Sequence, residues 1–259
     1  MRIRQHFGPA ILAAIGLLLP GALAVAADDA AIREAVEVRL QKDHPEQTAD
    51  VSVDVQDGEV TLTGTASTLP VKRRAEKLAR KDAKIVHNEL RVKLGEPVKD
   101  ADVIEGVRRA ILGYSLYRVF DYVEFSVNDG AVMLQGSVLL PWKKTTIESR
   151  VAQVTGVRAI QNDITVQSLS SFDSRLRATL LRRIYSDTRF FQYAHRAHPP
   201  IRILVDRGNI TLAGWVQSPV EKAVLGNIAR RTLSFSVDNQ LHVDSEVPAE
   251  DSKEETEQS

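Results

Sequence analysis

Val51-Ser-Val-Asp-Val-Gln-Asp-Gly58-Glu-Val-Thr-Leu-Thr-Gly64 alternates apolar and polar side chains on either side of an Asp-Gly pair, which predicts two β-strands joined by a tight hairpin turn. The phrase returns as Val123-Glu-Phe-Ser-Val-Asn-Asp-Gly130-Ala-Val-Met-Leu-Gln-Gly136 and again as Ile201-Arg-Ile-Leu-Val-Asp-Arg-Gly208-Asn-Ile-Thr-Leu-Ala-Gly214. Its copies stand 72 and then 78 residues apart, too far for a solenoid unit and right for a small globular domain. Glycine adopts positive φ cheaply, so Gly58, Gly130 and Gly208 read as turn residues, and Gly64, Gly136 and Gly214 as closing the second strand.

Upstream of each phrase the apolar residues are spaced by four: Ile32, Val36, Leu40; Val103, Val107, Ile111; Leu176, Leu180, Ile184. That spacing is one stripe of a helix. Asp29, Asp100 and Asp173 stand three residues ahead of each stripe, where a carboxylate caps free amides or meets the positive end of the helix. Downstream, second helices are expected over Val71 to about Ala83, Trp142 to about Val154 and Val220 to about Arg231, with Pro70, Pro141 and Pro219 near their first turns. A last strand follows in each copy around Asn88, Asn162 and Asn239. The fold class is therefore α+β: three tandem αββαβ modules, each laying two helices on one face of a three-stranded mixed sheet.

This order, the D-x-x-[IVL]-x-x-x-[VL] opening, the paired glycines six apart and the closing [VI]-x-N-x-[LI]-x-V resemble the BON domain, a family named for an osmotically induced periplasmic protein and nodulation proteins. The resemblance covers residues 28–95, 96–168 and 169–243. It implies a non-enzymatic protein of the periplasm that associates with anionic phospholipid surfaces in envelope maintenance or the osmotic stress response. The third copy departs from the pattern at Arg207, where the others have Asp, and in an enlarged segment between Ile184 and Ile201.

Residues 1–26 read as a signal peptide: Arg2 and Arg4, an apolar run from Ala10 to Leu19, a Pro20-Gly21 break and small residues up to Ala26, near which cleavage is expected. The run is short for a membrane span, so no transmembrane segment is expected after its removal. The chain has no cysteine, which excludes disulfides and thiolate chemistry. Its net charge of zero conceals an asymmetry. Residues 169–243 hold 11 Lys and Arg against 5 Asp and Glu, while residues 244–259 hold one Lys against 7 acids. The latter segment, rich in Glu, Ser and Gln, is expected to be a disordered acidic tail that folds back on the basic module.

No residue pattern calls for catalysis, a cofactor or a metal. His195-x-x-His198 is the one pair at ligand spacing, and no carboxylate stands near it. Nucleic acid is set aside because the chain is read as exported. The candidate lipid or partner surface is Arg182, Arg183, Tyr185, Arg189, Phe190, Phe191, Tyr193 and Arg196, which combines cations with amphipathic rings. A bland reading competes, in which Phe190, Phe191 and Tyr193 pin the enlarged segment to the core. Trp142, Lys143 and Lys144 form a second candidate, unless Trp142 only covers the sheet edge. The lysines and arginines from Lys72 to Lys84 read as a solvated helix face. An envelope protein bound as by a scaffold or holdase is the alternative partner.

Overall fold

The computed structural model describes residues 20–43, 50–93, 96–194, 196 and 198–244. The apolar run of the expected signal peptide, His195 and the tail beyond Asp244 lie outside them. The chain divides into two compact units, one built on the first module and the other on the second and third together.

The first module runs α1 (Pro20–Asp43), β1 (Val51–Gln56), β2 (Glu59–Ala66), α2 (Leu69–Ala79), β3 (Ile85–Asn88) and β4 (Arg91–Val92). The second repeats it as α3 (Asp100–Leu112), β5 (Tyr122–Asn128), β6 (Ala131–Val138), α4 (Pro141–Val151), β7 (Ala159–Asn162) and β8 (Thr165–Val166). The third comprises α5 (Ser171–Tyr185), α6 (Phe191–Ala194), β9 (Ile201–Asp206), β10 (Asn209–Val216), α7 (Pro219–Arg230), β11 (Ser236–Asn239) and β12 (His242–Val243). In every sheet the first two strands are antiparallel and the third runs parallel to the second. The helix stripes are the core. Val103, Val107 and Ile111 meet Ile147 and Val151 of α4 and Val123, Val132, Leu134 and Val138 of the sheet. Val36 and Leu40, and Leu176, Leu180 and Ile184, are buried in the same way.

The aspartates ahead of the stripes do something other than cap their own helices. Asp29 accepts the amides of Asp57 and Gly58 at 3.0 and 2.8 Å, and Asp100 those of Asp129 and Gly130 at 2.8 and 2.9 Å. Asp173 accepts those of Arg207 and Gly208 at 3.1 and 2.7 Å, while Ser170 caps α5. Each carboxylate straddles the hairpin turn, whose two central residues both have positive φ and aim their amides back at the helix. The clamp ties the first helix of each module to the turn of its first two strands.

The expected last strand is in fact two short pieces with the conserved-spacing Asn at the break. Its cause lies in the central strand. At Gly64, Gly136 and Gly214, φ is 108, 115 and 96°, and a Cβ would collide with the carbonyl oxygens of Asp50, Tyr122 and Pro200. These glycines therefore bend the central strand instead of closing it. The neighbouring strand must follow the bend and breaks where Asn162 Nδ2 reaches Glu148 Oε2 at 2.8 Å and its Oδ1 takes the Ile164 amide at 3.2 Å. Asn88 makes the matching bonds to Glu76 and Leu90.

The second and third modules join through β9. Val119 accepts the Ile203 amide at 3.0 Å, and Gln167 Oε1 accepts the Val205 amide at 3.2 Å. Arg177, buried, donates to the carbonyls of Ser168 and Val205 and to Gln167. Burial pushes its guanidinium below the usual value, against the attraction of Asp173 and Asp206. Arg202 donates to the Arg118 carbonyl at 3.1 Å and lies 4.8 Å from the Tyr117 ring centroid.

Candidate functional site

The enlarged segment of the third module carries the single turn α6. Phe190 and Tyr193 point inward, stacked 6.5 Å apart and buried among Leu180, Ile184 and Ile203. They belong to the core and leave the candidate surface. Between them Phe191 stays 55% exposed. Burial, then the hydrogen bond to Glu221 at 3.0 Å, pushes the Tyr193 phenol up to about 12. Tyr185 is also committed: its hydroxyl donates to the Ile201 carbonyl at 2.6 Å, and burial pushes it well up.

The cations divide similarly. Arg182 is exposed on α5. Arg189 forks onto Asp187 at 2.7 and 2.9 Å and holds that carboxyl down to about 2. Its guanidinium lies 5.8 Å from the Phe190 ring centroid, and that of Arg196 lies 5.6 Å from Tyr193. Arg183 donates to the Arg231 carbonyl at 3.0 Å and to Thr232 at 3.1 Å, so it fastens the loop after α7. The segment thus presents Phe191, Arg189 and Arg196 on a base of buried rings, with Arg182 exposed on the preceding helix α5.

In the second module Trp142 is 54% exposed beside a cleft of about 490 Å³ lined also by Leu116, Val119, Phe120, Leu139 and Leu140. Lys144 is half-buried. Lys143 is no surface residue: it is buried, with Nζ donating to Asp121 Oδ2 at 2.6 Å. Asp121 also accepts the amides of Arg118 and Leu139 at 2.8 and 2.9 Å. On α2, Arg74 pairs with Asp43 at 2.7 Å, and Arg80, just past its end, pairs with Glu76 at 2.8 Å. Burial, then Arg202, holds the His198 imidazole below its usual value. Among the described residues no three His, Cys, Asp or Glu side chains gather as a metal site would require, and no helix is long and apolar enough to cross a membrane.

One apolar feature escapes a reading of the sequence for basic-aromatic runs. At the turn end of the third module Leu233 is 83% and Phe235 79% exposed, and Phe235 stacks on Phe172 with centroids 5.9 Å apart. The available signal is the position four before the last-strand Asn, which is Lys84, Arg158 and then Phe235.

The family model described as BON domain matches residues 28–93, 99–168 and 173–245. No curated protein matches. Among solved structures, the C-terminal domain of CdsD, the structural protein of the Type III secretion system of Chlamydia trachomatis, is 10% identical, with 83% of this chain and 96% of that one covered at a TM-score of 0.24. The periplasmic domain of the inner membrane protein PrgH from S. typhimurium is 15% identical, with 77% and 97% covered at 0.20. At these scores neither likeness carries an argument.

Proposed function

We propose that this chain, which belongs to the BON domain family in all three of its modules, associates with anionic phospholipid surfaces of the cell envelope through the third module, in a binding and not a catalytic role. Envelope maintenance under osmotic stress is the setting in which such a role fits. The observation that carries the reading is the platform on α6. Buried Phe190 and Tyr193 root the segment, so that exposed Phe191 and the guanidiniums of Arg189 and Arg196 are held by a folded core, with Arg182 exposed on α5. A cation near an anionic bilayer contributes about 1 kcal/mol, and residues 169–243 carry a surplus of six.

Co-sedimentation with vesicles tests it. The full chain is expected to bind vesicles containing phosphatidylglycerol, to ignore phosphatidylcholine alone, and to lose binding on Arg182→Glu with Arg196→Glu. Equal binding to both vesicle types, or none, sinks the reading. A protein-binding scaffold or holdase is the second reading, favoured by the apolar cleft beside Trp142. It expects lipid-independent capture of an unfolded polypeptide that is weakened by Trp142→Ser.

A further inference from the structure

Resting on that reading for the anionic surface but not for the α6 platform, which lies at the other end of β10, we infer that the part of the third module entering the bilayer is its turn end, with Leu233 and Phe235 as the inserted side chains and arginines as the rim. The same end of the second module is built differently. There Arg158 Nη1 sits 3.1 Å from Asp129 of the turn, an exposed ion pair that suits water. In the third module both partners are exchanged, Asp for Arg207 and Arg for Phe235. The pair is replaced by a guanidinium side chain that is 85% exposed and by an exposed ring.

The ring is positioned, not loose. It stacks on Phe172 at an interplanar angle of 28°, and the Phe235 amide donates to the Gly208 carbonyl at 2.9 Å. A Cβ at Gly208 would stand 2.6 Å from the ring, so the glycine of the turn makes the seat for it. The loop that carries Leu233 is tethered from below by Arg183, through Arg231 and Thr232. Arg207, Arg230 and Arg231 are exposed around it. Of the neighbouring acids, Asp173 is buried and spent on the turn amides, and Asp206 accepts the Ser168 amide while lying 3.9 Å from Arg207.

Two exposed apolar side chains on a tethered loop with a guanidinium rim have the amphipathic character that settles between headgroups and acyl chains. A folded protein partner would need a matching concave seat. A fluid anionic layer needs none, and it answers the positive charge of the rim directly.

The native chain has no cysteine, so Leu233→Cys and, separately, Phe191→Cys each give one site for an environment-sensitive fluorophore on the full chain. With phosphatidylglycerol vesicles the label at 233 is expected to shift to the blue and brighten, with no change on phosphatidylcholine alone. Leu233→Ser, alone and with Phe235→Ser, is expected to lower partitioning, the pair by about tenfold or more, with the thermal transition of Leu233→Ser unchanged. If the chain binds anionic vesicles while the label at 233 stays aqueous and that at 191 shifts, this inference falls and the proposed function stands. Absence of vesicle binding overturns both. A shift at 233 that follows protein concentration without vesicles assigns the patch to a second copy and overturns the inference.

Discussion

Lys143 and Asp121 form an ion pair of 2.6 Å inside the second module, with side chains 5% and 0% exposed. The lysine stands beside Trp142 in a sequence that reads as an exposed aromatic-cationic cluster, yet of these two only the tryptophan reaches solvent. Asp121 spends its remaining capacity on the amides of Arg118 and Leu139, which pins the α3–β5 loop to the start of α4.

Removing the lysine leaves a buried carboxylate without its counter-charge, which costs about 3–5 kcal/mol. Lys143→Met is therefore expected to lower the denaturation midpoint of the second unit far more than Lys144→Met. Parallel urea titrations of the two variants check this.

Asp173 is buried, and burial opposes its ionisation. The Gly208 amide, the hydroxyls of Ser168 and Ser170 and the Arg207 amide outweigh this and hold the carboxyl below its ordinary value of 3.8. A depressed folded value stabilises the fold above that ordinary value, and the contribution is lost as pH falls through the lower one. Asp173→Asn keeps one acceptor for two turn amides and is expected to cost about 1–3 kcal/mol at neutral pH. The gap between variant and parent should narrow as the pH drops below 3.8. A gap that is constant with pH would count against the clamp as an ionic one.

Arg177 is bonded to Gln167, Ser168 and Val205 and so spans the joint between the second and third modules. Arg177→Leu orphans those acceptors and is expected to split the unfolding of the two modules. Calorimetry should resolve one additional transition in the variant.

The acidic residues beyond Asp244 oppose the charge of the third module. Deleting residues 245–259 is expected to strengthen binding to anionic vesicles at low salt. The difference should fade as the Debye length falls toward about 3 Å at 1 M. Unchanged binding at low salt would show that the tail has no such effect.

What could be read from the sequence was what is local. The spacing of Val103, Val107 and Ile111 gives a buried stripe whatever surrounds it, and the Asp-Gly pairs give turns. What escaped was set by partners distant in the chain. Asp173 faces amides 34 and 35 residues away, so its proximity to a helix start misdirects the reader toward capping. The last strand breaks because Gly136 bends its neighbour, not because of anything in its own alternation. At the candidate surface, the buried and exposed rings of Phe190, Phe191 and Tyr193 were divided by the phase of one short helical turn. Leu233 and Phe235 are hidden in the sequence because a helix-to-strand loop reads as punctuation, although Arg207 marks this end of the third module as different.

Four polar groups on the outward edge of β9 are engaged. Tyr185 takes the Ile201 carbonyl, Val119 the Ile203 amide, and Gln167 and Arg177 the two polar groups of Val205. An edge strand with open ladder positions invites an incoming chain to add to it and grow into fibrils. Here side chains and a loop stopper those positions, so this edge of the third module is closed to an incoming strand from a neighbouring copy.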